Sequence, residues 1–169
     1  MKISMHTVAV EQSVHSLGCL SELLDKGAAY AEAKKFDSSV LVSSRIAPDM
    51  FPLSRQVQIA CDMVKNGVAR LAAKEAPKFE DNEKTIDELK ARIAKTIAFL
   101  KSVPASALEG SEDRDIKIPL GPQTIEMKGL PYLHAFVVPN FFFHATMVYA
   151  LLRHNGVDVG KRDFIGKVF

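Results

Sequence analysis

The sequence predicts an all-α protein, a four-helix bundle with a small β-hairpin inserted before the last helix. Three observations carry this reading. Apolar residues recur at helical spacing in four long segments. Between Ser111 and Lys128 the pattern changes to an apolar–polar alternation around a Gly-Pro turn. Thr85, Pro131 and Gly156 supply start and stop signals at segment ends.

The first helix is expected from about Met5 to Leu24, with Val10, Val14, Leu17, Leu20 and Leu24 on one side. Gly27 is expected to interrupt it, and the helix-forming run Ala28–Lys35 to continue it as a bent or separate short helix. Phe36–Phe51 reads as a long connection restricted by Pro48 and Pro52, with Asp49 where a cap would stand. The next helix is predicted from about Phe51 to Ala73, its stripe made of Leu53, Val57, Ala60, Val64, Val68 and Leu71. Gln58 and Asp62 lie four apart on the flank of that stripe. Lys74–Asn82 is polar, contains Pro77 and reads as a loop. Thr85-Ile-Asp-Glu88 is a capping-box pattern opening the third long helix, which buries Ile86, Leu89, Ile93, Ile97 and Leu100. The hairpin follows, covering one end of the bundle. Gly129-Leu-Pro131 then starts the last helix, which Pro139 should kink and Gly156 should cap in the left-handed conformation.

The length of 169 residues suits one compact domain, residues 1–169, able to bury a core without disulfides. A formal charge of +2 gives no basis for a nucleic-acid partner. Cys19 and Cys61 sit inside apolar periodic segments and read as small buried hydrophobes of a reducing compartment. No apolar leader segment and no run of about 18 unbroken apolar residues is present, so the expectation is a cytoplasmic protein that does not enter a membrane.

The candidate chemistry lies on the last helix. On an ideal helix Leu133, Val137, Asn140, His144, Met147 and Leu151 share one side, which places an amide and an imidazole one turn apart on the core-facing stripe. Burying either without a partner would cost about 1–3 kcal/mol. Two readings follow: a structural hydrogen bond between the two, or to a carbonyl or water, and a pocket in which His144 binds a ligand or divalent metal. His6, His15, His134 and His154 lack partners at ligand spacing. Arg55, Arg153, Lys161 and Arg162 read either as an anion-binding rim or as ordinary solvated charge. The run Phe141-Phe-Phe143 occupies more than one helix face, which suits a central helix or a homodimer interface. There is no Gly-rich phosphate loop, nucleophile elbow or dinucleotide fingerprint.

Four stretches together resemble the DinB/YfiT-like helical-bundle superfamily. They are Arg45-Ile-Ala-Pro-Asp-Met-Phe-Pro-Leu53, Arg55-Gln-Val-Gln-Ile-Ala-Cys-Asp62, Pro139-Asn-Phe-Phe-Phe-His144, and Leu152-Arg-His-Asn-Gly156 with Gly160-Lys-Arg-Asp163. The closest resemblance is to its branch of uncharacterised bacterial proteins catalogued as domain of unknown function 1993. It implies the fold and, for typical members, a divalent metal such as Zn²⁺ or Ni²⁺ held by a His-x-x-x-His pair on the last helix and a third histidine on the second long helix. Here Asn140 stands in place of the first histidine of the pair and His144 keeps the second. Gln58 is the first candidate for the second-helix position, with Gln56 or Cys61 as alternatives. Amide oxygens are poor ligands for these metals beside imidazole. The expectation is therefore a bundle protein that binds a small molecule near Gln58, Asp62, Asn140 and His144, without a full three-histidine site and with no tightly bound metal. The alternative, by analogy with the superfamily, is a metal-dependent enzyme, a thiol-dependent transferase or isomerase, with His144 as its remaining metal ligand.

Overall fold

The computed structural model describes residues 3–167. A π-helical turn, Thr7–Glu11, leads without a break into α1, Gln12–Lys34. The expected interruption at Gly27 does not occur. A Cβ there would stand 3.0 Å from Leu152 Cδ2, so the glycine lets α1 pass close to the last helix instead of ending it. The helix ends at Lys35, which is left-handed at φ 59°. The connection that follows contains a short helix α2, Ser39–Ser43, and α3 runs over Leu53–Leu71. Asp49 does not cap α3; the N-cap is Pro52, with the Leu53 N–H donating to the Ser44 carbonyl at 3.0 Å.

Helix α4 covers Ile86–Lys101 and opens on the expected capping box: Glu88 N–H to Thr85 Oγ1 at 3.2 Å and Thr85 N–H to Glu88 Oε2 at 3.0 Å. Two 3₁₀ turns, Ala105–Leu108 and Ser111–Asp113, lead to the antiparallel hairpin β1, Asp115–Leu120, and β2, Gln123–Lys128. Gly121 turns it at φ 57°. Ile116 and Ile118 of β1 point into the core, whereas β2 is almost wholly exposed.

The last long helix is continuous from Gly129 to His154 but changes pitch. It comprises a turn, α5, Gly129–Pro131, then a second π segment, Tyr132–Val137, then α6, Val138–His154. Pro139 sits exposed in the first turn of α6, at the junction, and does not divide the helix. Gly156 caps it at φ 90°, as expected. The tail buries Val157 and Val159 and ends in α7, Lys161–Ile165, tied to α1 by the Lys26–Asp163 ion pair of 2.7 Å.

The four long helices close a ring: α3 packs on α4 and α6, and α1 packs on α4 and α6. Their inward faces and β1 form one continuous apolar core. By length and composition the Gly129–His154 helix is the one among the described residues that could cross a membrane; here it is packed against α3 and α1.

Candidate functional site

The π segment decides where the polar groups of the last helix point. A π turn takes up one residue more than an α turn. Leu133 and Val137 are buried as an ideal helix requires, but beyond them the buried stripe runs through Phe141, Ala145, Val148 and Leu152, about one position later than uniform 3.6-residue winding gives, with Leu151 of the expected stripe also buried at its edge. Asn140 and His144 therefore sit half-buried on the flank of the core, not in its centre.

Across the bundle, His144 Nδ1 lies 2.7 Å from Gln56 Oε1 of α3. The amide nitrogen of Gln56 donates to the Phe51 carbonyl at 3.3 Å. That carbonyl can only accept, so the amide oxygen is the atom turned to the imidazole. Nδ1 must then carry the proton and Nε2 the lone pair. Burial, together with the nearby Arg55 charge, holds the His144 pKa below the usual histidine value, so the ring is neutral at neutral pH. Phe143 meets the His144 ring edge-on with centroids 5.1 Å apart. Phe143 is 57% exposed, so its ring extends from the histidine to solvent.

Asn140 does not join this pair. Its amide nitrogen donates to the Phe136 carbonyl at 2.6 Å, supplying a donor in the turn where Pro139 has none. The bond to a carbonyl is one of the structural alternatives open from sequence.

Gln58 and Asp62 are placed elsewhere, in a charged cluster under the 74–85 loop. Gln58 accepts from Arg55 Nη1 at 3.1 Å and donates to Glu83 Oε2 at 2.9 Å. Arg55 also pairs with Asp81. The centre of the cluster is Arg92 of α4, 2% exposed, which donates to Asp62 at 3.0 Å, Asp81 at 2.9 Å, Glu83 at 3.0 Å and the Glu80 carbonyl at 3.1 Å. Asp62 accepts in addition from the buried Lys65 at 2.8 Å, whose ammonium stands 4.3 Å over the Phe79 ring. Burial alone would lower the Arg92 pKa; the Glu83 hydrogen bond and the Asp62 and Glu83 charges reverse this and raise it. Asp81 is likewise pushed up by burial but held below the ordinary aspartate range by Arg55 and Arg92. Cys61, buried at the back of this cluster, has its thiol pushed up to about 12 by burial and is not a nucleophile. Of the other basic candidates, Arg153 makes only a loose surface pair with Asp158 at 3.7 Å.

Gln56 was one of the alternatives for the second-helix position, and the spacing contained a signal for it. It lies three residues after Leu53 and four before Ala60, within the apolar stripe, whereas Gln58 falls off the stripe. Arg92 carried a similar unused signal, three residues after Leu89 and four before Thr96.

These residues do not fit a divalent transition metal. One imidazole faces one amide oxygen, the second amide is turned back on its own helix, and among the described residues no group of three or more His, Cys, Asp or Glu side chains converges at ligand distances. A cleft of about 600 Å³ and four others of about 360–450 Å³ have none of Gln56, Asn140 or His144 in their walls.

Comparison with known proteins defines the class. The family model described as domain of unknown function (DUF1993) matches residues 5–165, and the chain belongs to that family. Among solved structures, a DinB family member protein from Shewanella denitrificans is 40% identical, superposes with a TM-score of 0.91, and is matched over 97% of this chain and 93% of its own. The chain is thus a DinB-like DUF1993 protein, an α-helical bundle with a two-stranded insertion. No protein of curated function matches it.

Proposed function

We propose that this protein binds a small molecule beside His144 and the exposed Phe143, using a neutral imidazole in place of a three-histidine metal centre. The observation that carries the reading is the 2.7 Å bond from His144 Nδ1 to Gln56, an amide where a third metal-binding histidine would have to stand. Gln56 fixes the ring's orientation and tautomer, leaving Nε2 as a hydrogen-bond acceptor on a ring flanked by Phe143. A ligand with a donor group and an apolar or aromatic body suits that arrangement.

The test is metal content of tag-free protein prepared without chelator, beside His144→Ala. The reading expects no stoichiometric metal in either after incubation with Zn²⁺, Ni²⁺ and Mn²⁺. One metal per chain that is lost in the variant would replace it with the second reading, a metal-dependent enzyme of the thiol-dependent transferase or isomerase type. The uncommitted Nε2 lone pair is the observation in favour of that alternative.

A homodimer through the outer side of α6 belongs to the same proposal. Only a third of the most apolar 18-residue stretch of the continuous Gly129–His154 helix is buried, and Phe143 projects from α6 beside the exposed Pro139.

A further inference from the structure

The two π-helical segments are the rarest backbone features of the molecule, and they meet at one place. Such segments are uncommon and concentrate at functional sites, because they give up regular hydrogen bonding to re-aim side chains. Thr7–Glu11 opens the first helix and Tyr132–Val137 lies near the start of the last. Val8 of the first and Leu133 and His134 of the second line the same cleft, a cavity of about 600 Å³ closed on its third side by the loop of Leu108, Glu109 and Glu112. That volume lies within the range of small-molecule sites, and the walls are mostly apolar. The cleft is separate from His144, which lies ten residues further along the same helix, about 15 Å at the helical rise.

The polar groups in the cleft are selective. Its walls hold two glutamates and two histidines, His6 and His134, and no lysine or arginine. His6 is engaged with Glu11 at 3.2 Å, outside the lining. Among the described residues neither Glu109 nor Glu112 makes a side-chain hydrogen bond or ion pair, so both carboxylates are available to a ligand. Gly110, at φ 70°, turns the loop between them and leaves open space where a Cβ would stand.

We infer that this cleft is a binding site for an amphipathic organic cation, with an aliphatic body on Val8, Leu108 and Leu133 and a protonated amine toward Glu109 and Glu112. The walls favour apolar bodies of either charge; the unpaired carboxylates select among them. This holds whether or not His144 binds anything.

Octylammonium, 1-octanol and octanoate share one body and differ in head-group charge, and calorimetric titration of the full chain with each decides the matter. Octylammonium should bind one per chain, with chemical-shift changes at Val8, Leu133 and His134. Octanol should bind about tenfold more weakly, the equivalent of one lost charge pairing, and octanoate more weakly still. The double variant E109Q/E112Q, altered only at exposed side chains, should bring octylammonium to the octanol affinity and leave octanol unchanged. Equal affinity for the three probes, undiminished octylammonium binding in the variant, shifts confined to other parts of the chain, or no binding would each overturn the inference.

Discussion

Replacing Arg92 by alanine should cost the fold more than any other single charged residue. The guanidinium is buried and holds four acceptors from two parts of the chain: Asp62 on α3, and Asp81, Glu83 and the Glu80 carbonyl on the 74–85 loop. Removing one partner of a buried ion pair generally costs about 3–5 kcal/mol, because the other is left uncompensated. Here each carboxylate keeps a second partner: Lys65 for Asp62, Arg55 for Asp81 and Gln58 for Glu83. The side chain of Asp81 is also 40% exposed, so solvent screens part of its loss. The lower end, about 3 kcal/mol, is therefore the expected cost. For a chain of 169 residues the unfolding entropy near the midpoint is about 0.35 kcal/mol/K, which converts that cost to a fall in Tm of about 8 °C. Thermal unfolding followed by circular dichroism measures it. Arg92→Lys should recover less than half, since one ammonium cannot reproduce the fork. Hydrogen exchange should show the 74–85 backbone losing protection before α4 does. A fall of less than about 2 °C for Arg92→Ala would show that the cluster behaves as surface charge and that the loop is held by other contacts.

Three further outcomes follow from the geometry. At Gly67 a Cβ would stand 2.8 Å from Val137 Cγ1, so Gly67→Ala should destabilise by about 1–3 kcal/mol and Val137→Ala in the same chain should relieve part of that, both read by urea denaturation. The folded-state pKa of His144 lies below its ordinary value of 6.5, so the folded state binds fewer protons there than the unfolded. Stability should be fully present above about pH 6.5 and decline as the pH falls from there through the folded pKa; His144→Gln should flatten the pH profile in that window. Phe143→Glu should give a monomer of 18.6 kDa by light scattering where the parent chain gives twice that mass; identical masses for the two would remove the homodimer.

Much of the architecture was legible because it rests on local rules. The capping box at Thr85, Pro131 in the first turn, Gly156 as the left-handed cap and the alternation of β1 each express chemistry confined to a few neighbouring residues. What escaped depends on distant partners. Gly27 reads as a breaker until Leu152 is placed against it. Arg92 gives no sign of its partners until α3 brings Asp62 to it and the loop folds over it with Asp81 and Glu83. Gln56 and Gln58 are chemically identical, and although the stripe spacing favours Gln56, the approach of α6 to α3 is what brings it to the imidazole. The histidine itself was legible; its tautomer was not, since that is set by an amide 88 positions away whose own orientation is fixed by the Phe51 carbonyl.

The single surplus residue in Tyr132–Val137 acts on everything beyond it as a phase shifter. Each residue of helix corresponds to about 100° of rotation. Were the same residues wound as regular α-helix, His144 would occupy the azimuth now held by Ala145, a methyl group packed dry against the core at 2% exposure. An imidazole there would have neither the space nor a partner for its second nitrogen. Regular winding of the same residues would thus leave every side chain of α6 chemically unchanged and yet exchange its inner and boundary faces, whereas deletion of one residue between Tyr132 and Val137 would let the turn close to α-helix and keep those faces in place. The chemistry of His144 is in this sense encoded twice, once by the residue itself and once by the width of the turn before it.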